Sequence, residues 1–298
     1  MKNITILSDY IQQAEKSHNL EREQIIGLLD SENPEILRQL CAAADRCRKQ
    51  FLGSEATLIN FFDIGENLLN PEIIERFLDN ADALGFTKVI INRFQGDEFR
   101  TKGWKLIAKK SRSRKLQLIL SLDKFELAGI YELKESGVFG CRLLMGTFNE
   151  RHYRNLNKGK ASWNFNYALK CLENISDSGA ELTTGFMVGI PQTTTSDIAG
   201  DILYMQQLQP HHLEISKFNT ETEDTLVLKA IALTRLLNPK IGIAVTPVLR
   251  FLPEAPVFEQ LVSGTNILMT QTVTPSMLEE ICFHVKSCGF TICKDFEK

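Results

Sequence analysis

Apolar positions along the chain follow two rhythms. Before residue 54 they recur at helical spacing. Asn19–Ser31 places Leu20, Ile25, Ile26, Leu28 and Leu29 on one side. Pro34–Phe51 opens on a proline suited to a helix start and carries Ile36, Leu37, Leu40, Ala44 and Phe51, with Gly53 after it as the stop. From residue 58 onward short apolar runs alternate with amphipathic stretches. The runs predict strands at Leu58–Ile64, Lys88–Arg93, Leu116–Leu122, Cys141–Gly146, Leu182–Ile190, His212–Phe218, Ile241–Thr246 and Ile267–Thr272. Helices are predicted between them at Pro71–Leu84, Lys102–Lys110, Lys124–Glu135, Asn164–Ile175, Thr195–Leu208, Thr225–Leu237 and Pro256–Val262. A last one, Pro275–Ser287, runs into the apolar segment Phe290–Cys293.

Strands apolar on both faces and separated by helices predict a parallel sheet covered on each side. Eight such units in about 240 residues suit a closed barrel better than an open sheet. Gly85-Phe86, Gly137-Val138 and Gly289-Phe290 read as helix ends feeding strands. The expected fold is thus α/β, a (β/α)8 TIM-type barrel. Residues 1–53 form a helical cap packed on it and residues 54–298 form the barrel, as one domain.

Composition narrows the field of partners. Hydrophobic residues make up 43% and charged residues 24% of 298, an ordinary globular balance. A chain of this size buries roughly three quarters of its unfolded surface, enough for a core without covalent staples. The formal net charge of −3 gives no electrostatic reason to expect a nucleic-acid or membrane partner. The opening MKNITILSDYIQQ lacks an apolar signal core and no run is long enough to span a bilayer, so the expected location is cytoplasmic. Seven scattered cysteines fit free thiols in a reducing compartment.

In a barrel of this kind chemistry gathers at the C-terminal strand ends. Position nominates Asp63 and Glu66 after strand one, then Arg93, Gln95, Asp97 and Glu98 after strand two, and Asp123 after strand three. Thr147 and Asn149 follow strand four, Gln192 follows strand five, and Ser216, Lys217 and Asn219 end strand six. Thr246 and Arg250 belong to strand seven, Gln271 and Thr272 to strand eight. The set is polar but mixed. Lys217 is a candidate imine-forming lysine or an ion-paired one; it alternates with Ser216, so one of the two points out of the barrel. Asp97 and Glu98 are candidate acid–base carboxylates or exposed loop charges.

Other groups read more plainly. Cys282, His284, Cys288 and Cys293 have metal-ligand chemistry, but Cys282 and Cys288 lie about 600° apart around a helix, and no metal site is assigned. Cys41 and Cys47 are spaced alike and read as incidental thiols. His211-His212 opens strand six, at the barrel's bottom, and reads as structural. The run KKSRSRK, Lys109–Lys115, reads as a solvated helix end or a patch for an acidic partner.

The segment GFMVGIPQTTTSDIAGDILYMQQL, Gly185–Leu208, resembles the hydrogenase-maturation and methylornithine-synthase branch of the radical SAM superfamily, near biotin synthase. That branch carries a similar Gly-x-Met-Val-Gly-Leu-Pro strand end. Leu226–Pro247, Ser136–Gly146 and Arg38–Gly53 are similar to its later helix and strand, its entry to strand four and its pre-barrel helix. The resemblance implies a pocket for S-adenosylmethionine or a related small molecule, with Gln95, Gly96, Asp97, Met187, Gly189 and Gln192 around it. Barrel position, rather than the resemblance, places substrate or cavity contacts among Asp63, Arg93, Asp123, Thr147, Ser216, Asn219, Thr246, Arg250 and Gln271; the family's substrate contacts near strand seven are replaced here by Val245, Thr246 and Pro247.

The departures are as informative. The family holds a four-iron–four-sulfur cluster on a Cys-x3-Cys-x2-Cys loop after strand one. Here that stretch, Leu58–Asn70, has no cysteine, and none lies between Cys47 and Cys141. No cluster is therefore expected. Strand four of the family ends in an arginine and a glutamate, where Leu144–Phe148 shows neither charge. The expected function is a cluster-free binding or scaffold protein, associated with amino-acid (methylornithine- or pyrrolysine-like) or metallocofactor biosynthesis. It would hold a small ligand in the barrel mouth, or dock on a radical SAM or other biosynthetic partner protein. The alternatives are a cluster-independent lyase or aldolase using Lys217, and a radical SAM-type enzyme with atypical cluster ligands.

Overall fold

The structure is a computed structural model that describes residues 2–63, 71–92, 101–121, 127–159, 164–248, 263–271 and 274–292. Its centre is a closed parallel barrel. The strands are β1 (Glu55–Asp63), β2 (Lys88–Asn92), β3 (Gln117–Ser121), β4 (Val138–Arg142), β5 (Glu181–Val188), β6 (His212–Lys217), β7 (Gly242–Val248) and β8 (Ile267–Gln271). Each pairs with the next, and β8 pairs with β1 to close the ring. A short strand β9 (Thr291–Ile292) adds to the start of β1, where the sequence had shown only an apolar segment.

Three helices precede the barrel: α1 (Lys2–Ser17), α2 (Arg22–Leu29) and α3 (Pro34–Leu52). The first was not foreseen. Its polar residues interrupt the pattern, yet Leu7, Ile11 and Ala14 at helical spacing are all buried. Asn33 caps α3 by accepting from the Glu35 amide at 2.8 Å. The cap is bound to α10 (Asp224–Leu237) by buried cations and by packing. The Lys229 ammonium donates to the carbonyls of Leu29 and Ser31, and His18 Nδ1 meets the Leu236 carbonyl at 2.9 Å. Arg235, fully buried, donates to the Gly264 and Ile241 carbonyls, both at 2.7 Å, and so ties α10 to the segments that lead into β8 and β7.

Around the barrel run α4 (Pro71–Ala83), α5 (Thr101–Ser113), α6 (Leu127–Glu135), α7 (Glu150–Leu156), α8 (Phe165–Asp177), α9 (Thr195–Leu208) and, after α10, α11 (Pro275–Ser287). The predicted helix Pro256–Val262 lies outside the described residues. Gly85, Gly137 and Gly289 take φ of 78°, 105° and 80°, as the helix-ending positions require. The charge run on α5 is partly neutralised: Lys110 and Arg114 pair with Glu75 and Asp79 of α4.

Strand parity divides the lumen. Ile59, Phe61, Ile90, Ile119, Ala244, Ile267 and Met269 make its apolar side. One inward position further along β2 and β3 come Asn92 and Ser121, and the register sets Asn92, Ser121, Arg142, Thr183 and His212 side by side on β2 to β6. β4 corrects the sequence reading. It ends at Arg142, not Gly146, and resumes only as a single bridge between Gly146 and Phe186. The stretch between is a strap rather than a strand.

Candidate functional site

A cavity of about 330 Å³ opens at the C-terminal ends of β4, β5 and β6. Its floor is Gly185 and Met187 of β5 with Glu214 and Ser216 of β6. One wall is the strap, through Leu144, Met145 and Gly146; Leu156 and Asn157 at the end of α7 and Phe218 after β6 complete it. The walls are largely apolar and the polar groups few and convergent, the make-up of a small-molecule site.

Beneath it lies an ion pair that sequence reasoning missed. Arg142 donates to both carboxylate oxygens of Glu214, at 2.5 and 2.8 Å, and to Ser121 Oγ at 3.0 Å. The two residues are 6% and 2% exposed, so the pair is dry and bidentate. The signal was available: a charge in the middle of each of two apolar runs, Cys141-Arg142-Leu143 and Leu213-Glu214-Ile215, demands a partner. It was hidden by placing strand four too late. Leu144–Phe148, read from sequence as the end of strand four, carries neither charge, but it lies beyond the strand. Arg142 ends β4, and the carboxylate facing it comes from β6.

Of the nominated residues, Met187 and Ser216 line the cavity. Lys217 does not. Side chains alternate along a strand, so with Glu214 and Ser216 inward Lys217 points out, where its ammonium pairs with Asp224 of α10. Gly189 sits beyond β5 at φ 85°, pressed on Thr222: a Cβ there would stand 2.2 Å from the threonine hydroxyl. Gln192 is exposed in the turn that follows. Asn219 is exposed and shapes the turn after β6, accepting from the amides of Glu221 and Thr222 at 3.1 Å. Thr147 is fully buried, its hydroxyl on Asp201 of α9 rather than in the cavity. Asn149 caps α7 and donates to Asp197 at 2.9 Å. Asp63 ends β1 beside Asn92 and is exposed. Thr246 and Gln271 lie on β7 and β8, but their side chains fall outside the described set, as do Glu66, Arg93, Gln95, Gly96, Asp97, Glu98, Asp123, Arg250 and Thr272.

The thiols lie elsewhere. Cys47 is buried on α3, donating to the Arg235 carbonyl, and burial pushes its pKa up to about 11. Cys141 faces outward from β4 into a helix-packed core, pushed by burial up to about 12. Cys171 is buried on α8; Cys282 and Cys288 pack along α11. Among the described residues no group of three His, Cys, Asp or Glu could hold a metal. A four-iron cluster needs three convergent thiolates; the loop after β1, residues 64–70, contains no cysteine in its sequence, and the donor set does not fit one. At the barrel's bottom His211 Nδ1 accepts the Leu182 amide at 3.1 Å. His212 lies beside the Lys88–Glu181 ion pair, and its pKa is driven down to about 3 by burial, then by Lys88 and His211.

Across 268 aligned residues the chain is 24% identical to the [FeFe] hydrogenase maturase subunit HydE of Thermotoga maritima, covering 80% of this chain and 76% of that one. The chain is a relative of HydE. Its fold agrees with that relationship. Methylornithine synthase (PylB) superposes with a TM-score of 0.82 at 15% identity, covering 97% of this chain and 98% of that one. The hydrogenase maturase HydG of Carboxydothermus hydrogenoformans gives 0.79 at 17% identity, over 98% and 81%. These likenesses show the (β/α)8 barrel fold. No protein-family model matches the chain. Among the described residues no helix is long and apolar enough to cross a membrane.

Proposed function

We propose that this relative of HydE is a ligand-binding barrel that works without an iron–sulfur cluster. It serves as a binding or accessory protein beside enzymes of amino-acid or metallocofactor biosynthesis. One observation carries the reading: the exit of β1 has no cysteine to offer, while a formed cavity remains across β4, β5 and β6. The chemistry that needs sulfur ligands is gone and the room for a small molecule is kept. The names of HydE, HydG and PylB, two maturases and a synthase, suggest the biosynthetic setting.

S-adenosylmethionine or a related nucleoside is the ligand proposed. The apolar walls suit a flat ring, and Ser216, Asn157 and Glu214 suit its polar edge. A lyase or aldolase built on Lys217 finds no support, since that lysine is turned out of the barrel and ion-paired. Isothermal titration with S-adenosylmethionine, S-adenosylhomocysteine and methylthioadenosine tests the reading. Saturable one-site binding that Ser216→Leu abolishes is expected. No binding of any of the three would overturn the nucleoside assignment.

A further inference from the structure

The strap from Leu143 to Asn149 is held from two sides. On its inner side it is stitched to β5. The Leu143 and Gly146 amides donate to the Thr183 and Gly185 carbonyls at 2.9 and 3.2 Å, and the Met187 amide donates to the Gly146 carbonyl at 2.7 Å. On its outer side it meets α9, whose residues 197 and 201 share one face one turn apart. Asp201 Oδ1 accepts both the Phe148 amide at 2.6 Å and the Thr147 hydroxyl at 3.2 Å. One turn before it, Asp197 accepts from Asn149 Nδ2, and its other oxygen lies 3.6 Å from His152 Nε2. The Phe148 ring stacks on Tyr204 of the same helix at 4.3 Å.

We propose that Asp201 is a positioning residue for the cavity: from outside the barrel, through Thr147 and Phe148, it fixes the strap that forms one cavity wall, and so sets how well the cavity holds its ligand. This rests on reading the cavity as a ligand site. The reasoning is geometric. Between the β5 stitches and Asp201, Leu144 and Met145 have no freedom to swing. Remove Asp201 and the outer side keeps only the Asn149–Asp197 bond and the Phe148–Tyr204 stack, with no hydrogen bond left on Thr147 or the Phe148 amide from α9.

The clamp also has a gauge. Asp201 is 3% exposed, and its pKa is pushed up to about 7, by burial first and by the Asp197 charge, against the opposing pull of the Phe148 amide and the Thr147 hydroxyl. The other charged groups near α9 are turned to other tasks. Arg22 of α2 donates to the Ser196 carbonyl, Lys229 of α10 caps α2, His152 of α7 faces Asp197, and Glu173 of α8 acts on Tyr204. Above about pH 7 the two bonds to Asp201 are charge-assisted; below it they are ordinary and weaker. A strap that loosens while the carboxyl stays buried on α9 is therefore held more tightly at high pH, the reverse of global unfolding, which exposes the carboxyl to water.

The test uses the full chain as wild type, Asp201→Asn and Asp201→Ala, by hydrogen exchange of the 143–149 segment at pH 6 to 8. Rates are corrected for intrinsic exchange and referred to α10. In the wild type, protection of the segment is expected to rise about tenfold between pH 6 and pH 8, the difference between a neutral and a charge-assisted bond. Asp201→Asn, which keeps the acceptor without the charge, is expected to show the low-pH protection at every pH, and Asp201→Ala less still. Parallel titrations with S-adenosylmethionine are expected to show affinity rising with pH in the wild type and flat in Asp201→Asn. A pH profile identical in wild type and Asp201→Asn overturns the proposal, as does equal protection in wild type and Asp201→Ala. Exchange behaving as expected with no ligand heat in any variant supports the clamp and counts instead against the nucleoside reading.

Discussion

Arg142 and Glu214 matter most at the scale of single residues, because each is costly alone. A buried ion pair contributes little net stability over apolar residues of similar size, but stripping one partner strands the other charge in a dry lumen. Arg142→Met and Glu214→Leu are each expected to lose about 3–5 kcal/mol in urea unfolding, and the double variant much less than the sum. Two other buried groups give opposing pH dependences. His212 has its folded pKa lowered to about 3, so between about pH 6.5 and 3 the unfolded chain binds a proton that the folded one refuses. Stability then falls as pH falls through that window, by up to about 1.4 kcal/mol per unit, and His212→Gln flattens that slope. Asp201 runs the other way. Its folded pKa lies above its unfolded one, so its contribution is full below about pH 4 and lost as pH rises to about 7. Unfolding curves of the two variants separate the terms.

Among the elements, alternation of apolar runs and helices was readable because a parallel strand buried on both faces has no polar positions to blur it. The helices α9 and α11 emerged as Thr195–Leu208 and Pro275–Ser287, each flanked by a capping residue. What stayed hidden was irregular. The chain leaves β4 early and rejoins β5 only at Gly146, so the apolar run Leu143–Met145 reads as strand although it is strap. The helix α7 is too short for its apolar spacing to show, and its Asn149 cap looked like a mouth residue. The same blur made Thr147 a cavity candidate, when tertiary packing aims it at α9. Met187 was legible through the family resemblance and Ser216 through its place at a strand end; parity left Ser216 and Lys217 as alternatives, and the structure turns Ser216 inward and Lys217 out. The exit of β5 is as demanding as a core position. Gly189→Ala is expected to cost about 1–2 kcal/mol from the positive φ alone, and more from the contact with Thr222, as measured by the urea midpoint at unchanged m-value.

The molecule as a whole is a (β/α)8 barrel, and the proposed function asks only that its mouth differ. Parallel (β/α)8 barrels tolerate this, since the layers of lumen side chains and the outer helices hold the fold independently of the strand-end loops. Here the cap α1–α3 is locked to α10, and among the described residues the buried thiols Cys47, Cys141 and Cys171 lie within helix packing rather than at the mouth. The fold is shared with methylornithine synthase and HydG, and residues 64–70, which follow β1, contain no cysteine. Anaerobic incubation of the full chain with ferrous iron and sulfide, followed by desalting, iron counting and absorption spectroscopy, tests the cluster-free reading most directly. The expected result is no retained iron beyond adventitious traces and no broad thiolate-to-iron band near about 400 nm. A stable brown protein with about four irons per chain and a band that bleaches on reduction would contradict it.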